Sequence, residues 1–140
     1  MRHFYLILTL LIATMLTVVS CEPENTANCH KSISVQNNSN INIYYYIWPD
    51  TTLVLTDDPH FEANPFYKCA VGQTADDALR DCWEPNVENS LNGKLSTYIF
   101  DAHIIETVSW DSIKSRREYL KRYDYSLKDF QLNDWIINYK

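Results

Sequence analysis

Apolar and polar positions alternate with a period of two along several short runs of this chain. From Lys31 to Asn37, Ile33 and Val35 fall on one side, with Ser32, Ser34 and Gln36 on the other. That is the pattern of a half-buried strand. Asn37-Asn38-Ser39-Asn40 reads as a turn. Ile41 to Trp48 is the strongest strand: Ile41, Ile43, Tyr45 and Ile47 on one face, Tyr44, Tyr46 and Trp48 on the other. β-branched and aromatic residues suit a pleated surface, and the two runs together predict an antiparallel hairpin. The second face of Ile41–Trp48 has two readings. Either the strand is central and covered on both sides, or Tyr44, Tyr46 and Trp48 form an exposed platform for sugar rings.

The middle of the chain is less regular. A short strand is expected within Thr51–Thr56, a loop over Asp57–Pro65 and a strand over Phe66–Val71. Gln73–Asp81 predicts a turn or two of helix, with Thr74 as N-cap and Asp76 and Asp77 in the first turn. Glu84–Gly93 reads as a polar loop. Lys94–Phe100 alternates as a strand, and Asp101 is placed to cap a turn over Ala102–Glu106. Ser109 is placed to cap a helix from Trp110 to about Arg116. Glu118–Tyr125 alternates as a strand, with a helix continuing through Arg117 and Leu120 as the rival. Ser126 and Asp129 have the spacing of a capping box opening a helix over Leu127–Leu132. Asp134–Tyr139 closes the chain as a strand with Trp135, Ile137 and Tyr139 on one face. The expected fold is mainly β: an antiparallel sheet or β-sandwich of five to six strands with two or three short helices, the alternative being α+β.

The N-terminus departs from this alternation. After Met1-Arg2-His3, residues Phe4 to Val19 carry no charge. A positive end, an apolar run and a small residue before a cut site are the parts of a secretory signal peptide. The run of 16 residues is short for a spanning helix, which takes about 20. Val18-Val19-Ser20-Cys21 resembles the lipobox of bacterial lipoproteins. The resemblance implies cleavage before Cys21 and a diacylglycerol thioether on its sulfur. An uncleaved anchor helix and an ordinary signal peptide with a chance cysteine are the alternatives. Stable anchoring takes two acyl chains or a second signal, and a lipobox cysteine carries at least two chains. Residues 1–20 are then a signal peptide, 21–30 the lipidated N-terminus and a tether, and 31–140 a single globular domain. Glu22 and Glu24 resemble the acidic surface-export signals of Bacteroidota lipoproteins.

The formal charge is −6, which argues against nucleic acid as a partner, since binding phosphates takes clustered Lys and Arg. Acids concentrate between Asp57 and Glu88, bases between Lys114 and Lys128. The two glycines, Gly72 and Gly93, leave no room for a phosphate loop, a dinucleotide fingerprint or a hydrolase elbow. No sequence pattern calls for a cofactor or a metal. With Cys21 lipidated, Cys29, Cys69 and Cys82 remain. An envelope location permits disulfides, and Cys69–Cys82 is the nearest pair, closing 12 intervening residues for about 3 kcal/mol. Cys29–Cys69 and Cys29–Cys82 are the rival pairings.

Two stretches carry a further resemblance. Tyr98-Ile99-Phe100-Asp101 with Ser109-Trp110, and Leu120 to Phe130 running into Asn133-Asp134-Trp135, resemble small lipoproteins of Bacteroidota whose tails hold a Lys-Arg-Tyr-Asp-x-Ser-Leu-x-Asp-Leu run. Phe130 stands where that tail has leucine. The resemblance spans the signal segment and roughly residues 94–139. It implies a cell-envelope, outer-membrane location and carries over no catalytic residue. Asp50-Thr51-Thr52 and Asp111-Ser112-Ile113 match the O-glycosylation acceptor of the same group, making Thr51 and Ser112 candidates. An Asx turn at Asp50 and a helical first turn at Asp111 explain them equally well.

The compact acid–histidine cluster is Asp101, His103 and Glu106. It has the residue types for general acid–base chemistry, but a cap role for Asp101 explains it without catalysis. The expectation is a non-enzymatic envelope lipoprotein held to a membrane by its lipid anchor, meeting an envelope protein or a glycan. The alternative is an immunity or inhibitor lipoprotein that neutralises a basic toxin or enzyme by charge complementarity.

Overall fold

The computed structural model describes residues 29–48 and 67–140. Among these residues the chain is mainly β, with seven strands in two sheets and four short α-helices. The strands are β1 (Ser32–Asn37), β2 (Ile43–Trp48), β3 (Lys68–Cys69), β4 (Thr74–Ala78), β5 (Lys94–Asp101), β6 (Lys121–Ser126) and β7 (Ile136–Tyr139). The helices are α1 (Trp83–Glu88), α2 (Ala102–Thr107), α3 (Trp110–Arg116) and α4 (Leu127–Leu132). One sheet has the order β4-β1-β7, with β7 parallel to β1; the other is wholly antiparallel, β3-β2-β5-β6.

The sheets face each other across one core. Ile33, Val35 and Ile137 of the first sheet meet Ile43, Tyr45, Ile47, Leu95 and Ile99 of the second, with Trp83, Val87, Phe130 and Trp135 filling one end. A second core lies on the outer face of the larger sheet. There Tyr44, Tyr98 and Phe100 are covered by Ala102 and Ile105 of α2 and Ile113 of α3. β5 is therefore buried on both faces from Leu95 to Phe100, with Ser96 and Thr97 buried beside Leu95, Tyr98, Ile99 and Phe100.

β1 and β2 do not form the expected hairpin. They belong to opposite sheets, and Asn37 is the reason. Its side chain is wholly buried and donates to the carbonyls of Ile41 (2.8 Å) and Cys69 (3.1 Å). Its Oδ1 accepts from the backbone and hydroxyl of Ser39. This knot turns the chain out of one sheet and into the other. Next to it, Ala70–Gln73 forms a β-turn closed by Gln73 N–H to the Ala70 carbonyl. Gly72 sits at its third position with φ +71°, the conformation that a type II turn requires there.

Two expectations for the middle third are corrected. Thr74–Ala78 is an edge strand, not a helix: it pairs with β1 from Gln36↔Thr74 to Ser32↔Ala78, and Ala75 and Asp77 turn toward the core side while Asp76 points outward. Pairing with β1 outweighs a local helical preference of fractions of a kcal/mol per residue. Glu84–Gly93 is not a loop. It holds most of α1 and a 3₁₀ turn at Leu91–Gly93, with Pro85 in the first helical turn, where a missing N–H costs nothing. Of the expected strand Phe66–Val71, Phe66 lies outside the described residues and Lys68–Cys69 form β3. The expectations for Thr51–Thr56 and Asp57–Pro65 lie outside the described residues.

The last third follows most of its local signals, but Ser109 makes no side-chain cap hydrogen bond at the start of α3, and the last strand begins at Ile136 because Asp134 and Trp135 take positive φ. Asp101 caps α2, its Oδ1 accepting from His103 N–H at 2.8 Å. The capping box at α4 is complete, with Ser126 Oγ accepting from Asp129 N–H and Asp129 Oδ2 from Ser126 N–H. The segment after α3 is strand β6, not a continued helix. Arg117 takes a left-handed conformation (φ 52°) and ends α3 there.

Candidate functional site

The sandwich has two distinct ends. At one, the chain enters through Cys29 and His30, which belong to the folded domain and not to a tether. Cys29 is disulfide-bonded to Cys82. The expected Cys69–Cys82 bridge is thereby corrected: Cys69 is buried and free, its thiol donating to the Gln73 carbonyl at 3.2 Å. Cys69 and Cys82 lie at opposite ends of the fold, because β4 runs between them as an extended strand. His30 is held three ways. Its ring stacks on Trp135, centroids 4.4 Å apart. Its Nδ1 and its backbone N–H both meet the Glu84 carboxylate. Its carbonyl accepts from Trp83 N–H.

The opposite end carries a cleft of about 330 Å³, lined by Ile41, Asn42, Lys68, Asp101, Ala102, His103 and Glu106. The topology brings these together. β2 and β3 pair at Ile43↔Cys69, β2 and β5 at Ile43↔Asp101, and α2 follows β5 directly. Lys68 Nζ lies 2.5 Å from Glu106 Oε1, which also accepts from the Tyr44 hydroxyl at 3.3 Å. The Lys68 ammonium hydrogen-bonded to Glu106 holds that carboxyl below its usual range. The same bond raises the Lys68 pKa. Asn42 fixes the neighbouring turn, its Oδ1 accepting from Val71 N–H and its carbonyl from Ala102 N–H.

The Asp101–His103–Glu106 cluster thus exists as a place but not as a relay. Asp101 meets the backbone of His103, Glu106 meets Lys68, and the His103 side chain is exposed. Lys68, on a two-residue strand, is the site residue that sequence reading missed, because its role depends on a long-range pairing with no local signal. Among the described residues, no group of three or more His, Cys, Asp or Glu is placed to hold a metal ion.

The aromatic platform is not formed. Tyr44 is 7% exposed and belongs to the second core. Tyr46 and Trp48 are half-buried against it, their ring centroids 5.5 Å apart. Ser112 lies in the first turn of α3, its hydroxyl 3.0 Å from that of Ser109. Cys21 and Thr51 lie outside the described residues. No family model, curated protein or solved structure matches this chain.

Proposed function

We propose that this chain is a lipid-anchored envelope protein that binds a partner without transforming it. The observation that carries the reading is the spacing of two cysteines. The lipobox-like Val18–Cys21 is followed after seven residues by Cys29, which is clamped to the domain by its bond to Cys82. A disulfide there suits an oxidising compartment, and so short a connection suits a domain kept at a membrane surface. The cleft at the far end offers Lys68, Glu106, His103 and Asn42 as polar contacts, and among the described residues the Glu106 carboxylate is engaged by Lys68 and Tyr44. That favours recognition of an envelope protein or glycan over catalysis.

The test uses the full chain expressed in a bacterium. With radiolabelled palmitate, the wild type is expected in the membrane fraction and labelled, and Cys21→Ala unlabelled and released. Label persisting in Cys21→Ala would refute the anchor. Crosslinking capture on the wild type and on Lys68→Met/Glu106→Gln then asks whether partners depend on the cleft.

A second reading, an immunity or inhibitor protein for a basic toxin or enzyme, draws on the exposed acids Asp76, Asp81 and Glu88 along β4 and α1. Asp57, Asp58 and Glu62 of the same acidic run lie outside the described residues. This reading expects capture to be abolished by Asp76→Lys/Asp81→Lys and by high salt, and to be indifferent to Lys68 and Glu106.

A further inference from the structure

We propose that the Cys29–Cys82 end of the sandwich lies directly against the lipid surface, with Leu91 and Leu132 as its contact residues and the polar cleft facing away. The inference rests on the lipid-anchored reading and adds an orientation to it. Four large apolar side chains are exposed among the described residues: Val71, Leu91, Leu120 and Leu132. They divide between the two ends. Val71 sits at the turn tip beside the cleft, and Leu120 opens β6 opposite the end of β5, with its N–H on the Ile99 carbonyl. Leu91 lies in the turn between α1 and β5, and Leu132 at the end of α4.

Register places Leu91 and Leu132 with the anchor. β5 begins at Lys94, opposite Ser126 at the end of β6, and α4 starts immediately after Ser126. α4 then leads to Trp135, on which His30 stacks. α1 starts beside Cys82 and bonds His30 through Glu84. The cysteine clamp, the 3₁₀ turn and α4 therefore close one end, and the cleft lies about a strand's length away, roughly 20 Å for six residues. The chain between Cys21 and Cys29 spans eight Cα steps, at most about 29 Å when fully extended. A lipid on Cys21 thus attaches the domain to the bilayer through this end; the reach of that connection exceeds the distance to the cleft, so the exposed leucines set which face makes contact. Leu132 is the most exposed large apolar side chain described, at 72%. An apolar residue in that position gains by entering the headgroup boundary.

The charges at this end do not favour an electrostatic alternative. Lys31, Arg80, Lys94 and Lys128 are offset by Asp81, Glu84, Glu88, Asp129 and Asp134. The contact should therefore be apolar and insensitive to salt. Two leucines bind too weakly to hold a soluble protein, and act only at the high local concentration that the lipid imposes.

The experiment is hydrogen exchange by mass spectrometry on the purified lipidated protein in vesicles of phosphatidylethanolamine and phosphatidylglycerol, compared with the non-lipidated Cys21→Ala chain in buffer. The expected result is at least tenfold slower exchange over residues 87–94 and 128–134 on vesicles, unchanged in 0.5 M salt (roughly a 4 Å screening length). Residues 68–73 and 101–107 should exchange equally in both states. Leu91→Asp/Leu132→Asp should lose the protection while still floating with the vesicles. Equal exchange at the clamp end, or protection at the cleft end, overturns the orientation while leaving the anchor intact. Failure of the wild type to float overturns the anchor and the orientation together.

Discussion

The imidazole of His30 lies flat on the indole of Trp135, with 17° between the ring planes, and joins the first described residues of the domain to the turn before its last strand. One position earlier, the Cys29–Cys82 bond ties the same entry point to the start of α1. The entry of the chain is thus built into the core end containing Trp83, Phe130 and Trp135.

This clamp predicts a redox-dependent stability. The bridge spans a sequence separation of 53, and closing such a loop in the unfolded chain is worth about 4 kcal/mol. Cys29→Ser/Cys82→Ser should lose about that amount in urea denaturation and become indifferent to reductant. Cys69→Ser should keep the full response to reductant. Peptide mapping without reduction should recover Cys29 joined to Cys82.

Asp77 predicts a stability that falls as pH rises. It is partly buried on β4, near Tyr45 and Tyr67, and burial pushes its pKa from 3.8 up to about 6. Between those values the folded state holds the proton more tightly than the unfolded one. Its contribution is therefore most favourable below pH 4 and is lost as pH rises through 6. The loss amounts to as much as about 3 kcal/mol. Asp77→Asn should stabilise the domain at pH 7.5 and change little at pH 4. Equal effects at both pH values would contradict the assignment.

Asn37 predicts a steep penalty for a small change. Replacing it by alanine removes a side-chain donor from the buried carbonyl of Cys69 and frees the Ser39 turn. A cost of about 3 kcal/mol is expected, read as a lower urea midpoint. Asn37→Asp should be at least as costly, because a carboxylate faces two carbonyls that need a donor.

The cleft predicts a separation of binding from folding. Lys68 and Glu106 are 37% and 46% exposed, and pairs of this kind contribute little to stability. Glu106→Gln and Lys68→Met should leave the melting temperature unchanged within error while weakening partner capture. A melting temperature that drops sharply would make the pair structural.

What the sequence discloses and what it hides divides by range of interaction. The capping box of Ser126 and Asp129, the Asp101 cap and the alternation of β5 depend on neighbours within four residues, and each is found where it was expected. Tyr44 was legible as one of two alternatives, and the covering helices α2 and α3 decide for core. Thr74–Ala78 misleads because its local preference is overruled by pairing with a strand about 40 residues earlier. The disulfide misleads for a related reason: the nearest cysteine in sequence is placed out of reach by an intervening strand. The hairpin fails because one buried amide, Asn37, redirects a turn that reads as ordinary.

Among the described residues β4 is the outer strand of its sheet, and it carries Asp76 outward and Asp77 inward in succession. An open edge is a template for strand addition by another chain, and adjacent charges of opposite aim are a deterrent to it. On the lipid-anchored reading proposed above, the protein would be confined to two dimensions and would meet its own copies far more often than one free in solution. Asp77, which weakens the fold at neutral pH, thus stands with the outward Asp76 against edge-to-edge joining of copies.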